Sequence, residues 1–416
     1  MSASRVSMCL SMRRSPQSGR TRIRTFSTGL HPAHFACAVA LGAASFAARA
    51  DTGGLFLFDY LQGLPYATSA AYTPGVTLYG VVDDAIGYTK GAHSAFVQQS
   101  GGEWTSKVGL YGVEDLGGGY RVRFALENGF NSANGQQGSP GTLFNREAWI
   151  GIGSKRTGEL KLGLQDDVGV PLFVDVFGEV GSVSAVGYLL QWTSDLGPGA
   201  SYEPGRLPSA ISYTSPWFGP LNAQFAVVLH GAQPAAPTFA TRSAALNYFD
   251  GHLFATLAYI GNYGQNALVP SQYVRTDNYA AGVFYDAGHY VLSAGYSFLA
   301  PRLEGDRVAS VYSLGAIYRY RQRNDFRVEL AYRTVSGFND HSLGLTLGYD
   351  YNLSARTALY VRGSLVHNSG AAPVYGGTPA QQPTVDNIEN AYTGPGGVMQ
   401  SYRSPHVVLV GMYHKF

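Results

Sequence analysis

Arg121, Arg123 and Glu127 are set two and four residues apart, and Arg327, Glu329 and Arg333 repeat that spacing late in the chain. Even spacing sends such side chains to one face of an extended strand. Guanidiniums and carboxylates laid out this way do not suggest bond-breaking chemistry. Gathered on one wall of a wet passage with low-dielectric surroundings, they would focus an electric field and select among ions. The usual catalytic arrangements are missing. The ten histidines are scattered, and no pair has metal-ligand spacing with Cys or carboxylates, so the sequence calls for no metal or cofactor. Gly117-Gly118-Gly119 lacks the Gly-Lys-Ser/Thr ending of a phosphate loop and reads as a turn. There is no Gly-x-Ser-x-Gly elbow.

The elements that must hold these charges are strands. Ser342 to Leu353 alternates Leu343, Leu345, Leu347, Tyr349, Tyr351 and Leu353 with Ser342, Gly344, Thr346, Gly348, Asp350 and Asn352. Val122, Phe124 and Leu126 likewise face away from Arg121, Arg123 and Glu127. Gly at 53 of 416 residues and Tyr at 29 disfavour helices and suit many short strands with tight turns. Sixteen candidate strands run from Val76 to Phe416, and 104–115 is taken as the second. Their links alternate. Tight turns such as Gly117–Gly119, Asp250-Gly251, Ala287-Gly288 and Arg323–Asp325 follow the even strands, and long loops follow the odd ones. A soluble sandwich has no reason to segregate its loops, whereas a transmembrane barrel has short turns on one rim and long loops on the other. The predicted fold is therefore all-β: a 16-stranded antiparallel transmembrane β-barrel with short periplasmic turns and long extracellular loops.

Two loops, about 166–208 and 368–405, are long enough to expect a function. The first, the third extracellular loop, carries Phe173, Phe177, Tyr188, Leu189, Leu190 and Trp192, which need an apolar surface. It is expected to fold inward and narrow the lumen. Tyr318, Tyr320, Tyr332, Tyr349, Tyr351 and Trp149 are read as girdle residues at the lipid headgroups.

Residues 1–50 hold seven Arg and no Asp or Glu, then the apolar run Phe35–Ala47 and the small-x-small site Ala48-Arg49-Ala50. This is the pattern of a signal peptide cleaved after Ala50. Its removal leaves 22 basic against 27 acidic residues, a net charge of −5, and takes both cysteines, Cys9 and Cys37, with it. Nucleic acid is an unsuitable partner for such a chain. Residues 51–74 form an N-terminal extension of unassigned structure, and 75–416 form the barrel domain.

Several segments carry a family resemblance. Val76-Thr77-Leu78-Tyr79-Gly80-Val81-Val82-Asp83, Gly112-Val113-Glu114-Asp115-Leu116-Gly117-Gly118-Gly119, Phe144-Asn145-Arg146-Glu147-Ala148-Trp149-Ile150-Gly151, Ile211–Pro216, Leu347–Thr357 and the ending His414-Lys415-Phe416 resemble the trimeric general porins of Gram-negative bacteria, β-proteobacterial branch. The resemblance implies an outer-membrane homotrimer, embedded in lipid and lipopolysaccharide, in which small hydrophilic solutes and ions diffuse passively through each lumen. It also implies that Phe416 is the assembly signal read by the barrel assembly machinery. Lys107, Tyr111, Arg121, Arg123, Glu127, Asp175, Glu179 and Arg333 are the candidate pore-lining and constriction residues, with Lys107 paired to Asp175 or Glu179 across the lumen. Strand parity adds Lys161, Arg319, Arg327 and Arg362, against Asp83, Glu159, Glu329 and Asp350. Tyr111, Leu164 and Tyr413 stand where the family has basic residues, which weakens the expected basic cluster. The alternative reading is a channel selective for a sugar or organic anion, with Tyr79, Tyr111 and Tyr360 as stacking platforms. A remote one is an outer-membrane lipid hydrolase using His230, His289, His341 or His367 with a nearby Ser.

Overall fold

The computed structural model describes residues 73–416 apart from 91–93, 169–174, 178–182, 194, 203–204, 230–238, 267–268, 270, 303–306, 322, 337–340, 370–373, 376–377 and 380–405. The expected export signal, most of the 51–74 extension, Glu179, and most of the 368–405 loop lie outside the described residues.

The strands are β1 (Gly75–Lys90), β2 (Ser94–Ser100), β3 (Lys107–Gly117), β4 (Tyr120–Gly129), β5 (Glu147–Ser154), β6 (Gly158–Asp166), β7 (Arg206–Thr214), β8 (Leu221–Leu229) and β9 (Phe239–Phe249). They continue with β10 (Leu253–Gln265), β11 (Tyr273–Asp286), β12 (Tyr290–Pro301), β13 (Ala309–Tyr320), β14 (Asn324–Val335), β15 (His341–Asn352) and β16 (Thr357–Ser369). A two-residue hairpin, β17 (Val374–Tyr375) and β18 (Thr378–Pro379), precedes β19 (His406–Lys415). One short helix, α1 (Ala185–Gln191), lies in the third loop. No helix among the described residues is long and apolar enough to cross a membrane.

Each strand from β3 to β16 pairs antiparallel with the next, β16 pairs with β19, and β19 pairs with β1. The ring closes through β1, whose lower half faces β3 (Thr77↔Tyr111) and whose upper half faces β2 (Gly87↔Val97). Together β2 and β3 fill one place, so the ring has sixteen positions. Closure leaves no unpaired sheet edge, which is the condition for a sheet in lipid.

Two expectations shift. The second strand is not the single run 104–115 but two pieces separated by residues 101–106. Gly101, at φ +83°, breaks the extended path. The Asp83 carboxylate then takes the amides of Glu103 (2.8 Å) and Trp104 (2.5 Å) in place of a strand partner. The turn read at Arg323–Asp325 ends before Asn324, which already pairs with Tyr320.

Outward side chains divide into bands. Leu257, Val283, Leu292, Leu314 and Leu330 are exposed around the middle of the wall. Aromatic rings flank them on both sides. Towards the short turns, Tyr290 stacks on Tyr318 and Phe326 packs on Tyr349, each pair 5.0 Å apart. Towards the long loops, Tyr259 meets Tyr279 at 5.2 Å and Tyr296 meets Tyr312 at 5.0 Å. Tyr312 and Tyr318 are six residues apart, about 20 Å along a strand rising ~3.4 Å per residue. This is the girdled apolar band of a lipid-embedded barrel. Trp149 does not belong to it: it faces inward, edge-on to Tyr111 at 6.4 Å.

The third loop enters the barrel and lies on the inner wall of β13–β16. Val183, Val186, Leu189 and Leu190 are buried there with Val311, Ala331 and Val366. Missing side chains in the wall make room for it. A Cβ at Gly344 would stand 2.6 Å from the Ala185 Cβ, one at Gly348 2.7 Å from Phe177, and one at Gly315 2.7 Å from Val176. Gly344→Val is therefore expected to push α1 off β15, costing roughly 1–3 kcal/mol as overpacking does and giving a larger, noisier single-channel current. An unchanged current from a folded variant would show that α1 does not limit the passage.

Candidate functional site

Ladder register builds the inner wall row by row. In one row across β3 to β6 stand Val113, Arg123, Gly151 and Lys161; the row nearer the short turns has Asp115, Arg121, Gly153 and Glu159. Arg123 Nη2 is 2.5 Å from Glu159 Oε1, and the Arg123 guanidinium donates to the Tyr111 hydroxyl at 3.4 Å. Lys161 Nζ lies 4.1 Å above the Trp149 ring and 3.8 Å from Glu159. Trp149 Nε1 donates to Glu147 at 2.9 Å.

Higher on the same wall, Glu127 is the focus. It accepts from the Tyr79 hydroxyl at 2.8 Å and from Arg146 Nε at 2.6 Å, with Lys107 Nζ at 3.1 Å. Lys107 thus has a partner on the adjacent strand. Asp175, which the sequence reading paired with Lys107, instead accepts from the Phe177 amide at 2.6 Å and from the Ser184 hydroxyl, within its own loop.

The opposite wall is occupied by the third loop, stitched to β14 and β15 at several heights. Arg327 donates to Val176 O at 2.8 Å, and Glu329 accepts from Val176 N at 3.3 Å. Thr346 accepts from Ala185 N at 3.0 Å and donates to Val183 O at 3.1 Å. Arg333 forks onto Asp195 at 2.6 and 2.7 Å and donates to Trp192 O at 2.9 Å.

Between the two walls the 101–106 segment also projects inward. Glu103 accepts from Arg362 Nε at 2.7 Å and lies 3.6 Å from Arg327, while Asp350 binds both arginines at 2.6 and 2.9 Å. Trp104 lies under the Lys415 ammonium at 4.3 Å and edge-on to Tyr413. Asp83, beneath this group, accepts the Tyr360 hydroxyl at 2.5 Å.

Exposure separates the two sides. The Arg362 and Arg333 side chains are 0% and 2% exposed, whereas Arg123 and Arg146 are 18% and Lys161 29% exposed, with Glu127 at 1% and Glu159 at 12% behind them. Arg123, Arg146 and Lys161 are thus more exposed than Arg333 and Arg362. Of the expected site residues, Lys107, Tyr111, Arg121, Arg123 and Glu127 share this wall, Asp175 and Arg333 hold the loop across from it, and Glu179 lies outside the described residues. Glu103, Trp104, Arg146 and Asp195 were not singled out as site residues. Only the Gly101-Gly102 pair signalled the inward segment, by marking a break in a strand.

A sequence model of Gram-negative porins matches residues 36–371, most of the chain. The chain belongs to the Gram-negative porin family. An outer membrane porin protein of Delftia acidovorans is 28% identical over 376 residues, 86% of this porin and 98% of that protein. One of Bordetella pertussis is 40% identical over 131 residues, 27% of this porin; this porin spans only about a third of that relative's length, 34%. An anion-selective porin from Comamonas acidovorans superposes with a TM-score of 0.69 at 27% identity, covering 82% of this porin and 99% of that chain. The porin is a channel of the Gram-negative outer membrane for passive diffusion, not an enzyme.

Proposed function

We propose that this channel prefers small anions and that the preference is set by Arg121, Arg123, Arg146 and Lys161 on the open wall. The carrying observation is the difference in exposure: cations on β4–β6 meet the lumen, and those on β14–β16 are covered by carboxylates and the third loop. In a narrow passage with low-dielectric walls, such a bias raises the local concentration of anions. Leu164, Tyr111 and Tyr413, in positions that are basic in the family, keep the preference moderate. Tyr79, Tyr111 and Tyr360 are 1–2% exposed, so they offer no open ring face to a sugar.

The test is the reversal potential under a salt gradient, for wild type and for Arg123→Ala/Lys161→Ala. Anion preference in wild type and a move toward cations in the variant are expected. An ohmic pore with the same reversal potential in both would remove these residues from selectivity without touching the channel assignment.

The same reading includes a homotrimer built on the flank of β1 to β6 and β19. Val82, Ile86, Leu110, Ile150, Leu162 and Val410 are exposed there, with Phe96 and Tyr120 the strongly exposed rings, in contrast to the tyrosine-rich remainder of the wall. An aliphatic surface without an aromatic girdle suits protein contact better than lipid headgroups. Residues 1–50 act as the export signal in this reading, and Phe416 addresses the chain to the barrel assembly machinery.

A further inference from the structure

Near the long-loop rim, the outer wall of β9–β12 carries charge where a lipid-facing surface ordinarily has none. Outward positions on these strands place Arg242 on β9, Gly261 on β10 and Asp277 on β11 in one ladder row. Arg275 lies two residues nearer the rim, and Arg302 follows the upper end of β12. Asp277 is fully buried beneath the arginines. It has Arg302 Nη2 at 2.6 Å, accepts from Arg302 Nε at 2.7 Å and from Arg275 Nη2 at 2.9 Å, and receives the Tyr259 hydroxyl at 2.9 Å. The arginines themselves stay open to the outside: the side chains are 37% exposed for Arg275 and 54% for Arg302, and Arg242 is exposed.

Asp277 therefore fixes two guanidinium forks and cancels one of three positive charges. Its own row extends the patch, because Arg242 is two strands away, about 10 Å at ~4.8 Å per strand. Gly261 between them leaves a shallow floor, where a Cβ would meet the Tyr259 hydroxyl at 2.6 Å. Directly below come the rings of Tyr259, Tyr279 and Phe298, spaced 5.2 and 6.4 Å, and below those the apolar Leu246, Leu257 and Val283. A lipid whose charged headgroup engages this patch would have its acyl chains beside the apolar band.

We propose that Arg242, Arg275 and Arg302 bind the phosphate-bearing headgroup of a lipid in the extracellular leaflet. Arginine forks suit phosphate oxygens bidentately, and the aromatic row marks the headgroup level at which such a phosphate lies. The site faces away from the lumen, so it is independent of the pore's selectivity.

The test uses the full chain, purified in detergent as wild type and as Arg275→Gln/Arg302→Gln, and incubated with diphosphorylated lipid A or its dephosphorylated counterpart. Native mass spectrometry reads the bound lipid. Wild type is expected to retain the phosphorylated lipid at least about tenfold better, in line with the contribution of one or two arginines at a charged lipid surface. The double variant is expected to lose that preference, and its conductance and reversal potential to stay unchanged. Equal retention by the double variant, equal retention of the dephosphorylated lipid, or displacement by inorganic phosphate at the lipid's concentration would each overturn the proposal. If the double variant loses its folded migration in unheated gels, Arg242→Gln, which leaves the Asp277 pairs intact, decides instead: a weakened preference supports the site and an unchanged one refutes it.

Discussion

Arg333→Ala is expected to release the third loop from the barrel wall and to widen the passage. The side chain holds both carboxylate oxygens of Asp195 and the carbonyl of Trp192, and it is almost fully covered. Removing one partner of a buried pair costs roughly 3–5 kcal/mol where water is excluded, and less to the extent that lumen water reaches Asp195. The measurable result is a higher single-channel conductance with frequent excursions, and new protease cleavage between residues 185 and 200. Arg333→Lys should fall between the two, since an ammonium cannot reproduce the fork. Wild-type conductance and protease resistance in Arg333→Ala would mean that the Thr346 and Val176 contacts hold the loop without it.

Glu103→Ala should have an effect of similar size by a different route. Arg362 and Arg327 would lose the Glu103 carboxylate and keep Asp350 between them, removing one negative charge from a region where Arg362 is fully buried. A loss of roughly 3–5 kcal/mol is again the dry-interior figure, visible as a lower temperature for loss of folded migration in gels. The freed arginines should also move the reversal potential toward anions. Glu103→Gln restores shape but not charge, so it separates packing from electrostatics. A Glu103→Ala variant with wild-type heat stability and selectivity would reduce the inward segment to a passive bulge.

Most of the barrel was legible in the sequence because two local signals coincide in it. Alternation with period two puts Leu343, Leu345 and Leu347 outside and Thr346 and Asp350 inside, and glycine-rich turns punctuate the strands. Neither signal reports which cross-strand neighbour a long side chain chooses. Lys107 sits opposite Gly129 in the ladder, yet its ammonium turns to Glu127 in the adjacent row, and Arg146 is the side chain that fills the empty position at Gly129. That choice depends on register. The path of the third loop was hidden for a related reason. Gly344 and Gly348 read as neutral lumen positions, whereas they are the gaps that receive Ala185 and Phe177. A missing side chain becomes informative only when the segment that fills the gap is known. Trp149 was misplaced although parity was available, since Glu147, Trp149 and Gly151 follow the inward alternation; its aromatic type was given more weight than its position.

The pairing of β1 with β19 has consequences for how the molecule comes to exist. Every other ladder in the ring joins strands that are neighbours along the chain, except β1 with β3, which skips β2, and β16 with β19, which the long loop separates. Here Val81 meets Lys415, Lys90 meets His406, and Phe416 exchanges both backbone hydrogen bonds with Gly80 at 3.0 Å. Hairpins can form as soon as their two arms are present, but this seam joins residues more than three hundred positions apart. Contacts so distant in sequence are slow to find because chain entropy is lost before they contribute. A sheet still open before the seam forms would expose two hydrogen-bonding edges, each able to pair with another chain. Its lifetime, more than the final stability of the ring, would set the fraction of chains that aggregate, and a substitution such as Gly80→Val, which crowds Phe416, would act on yield before it acted on conductance.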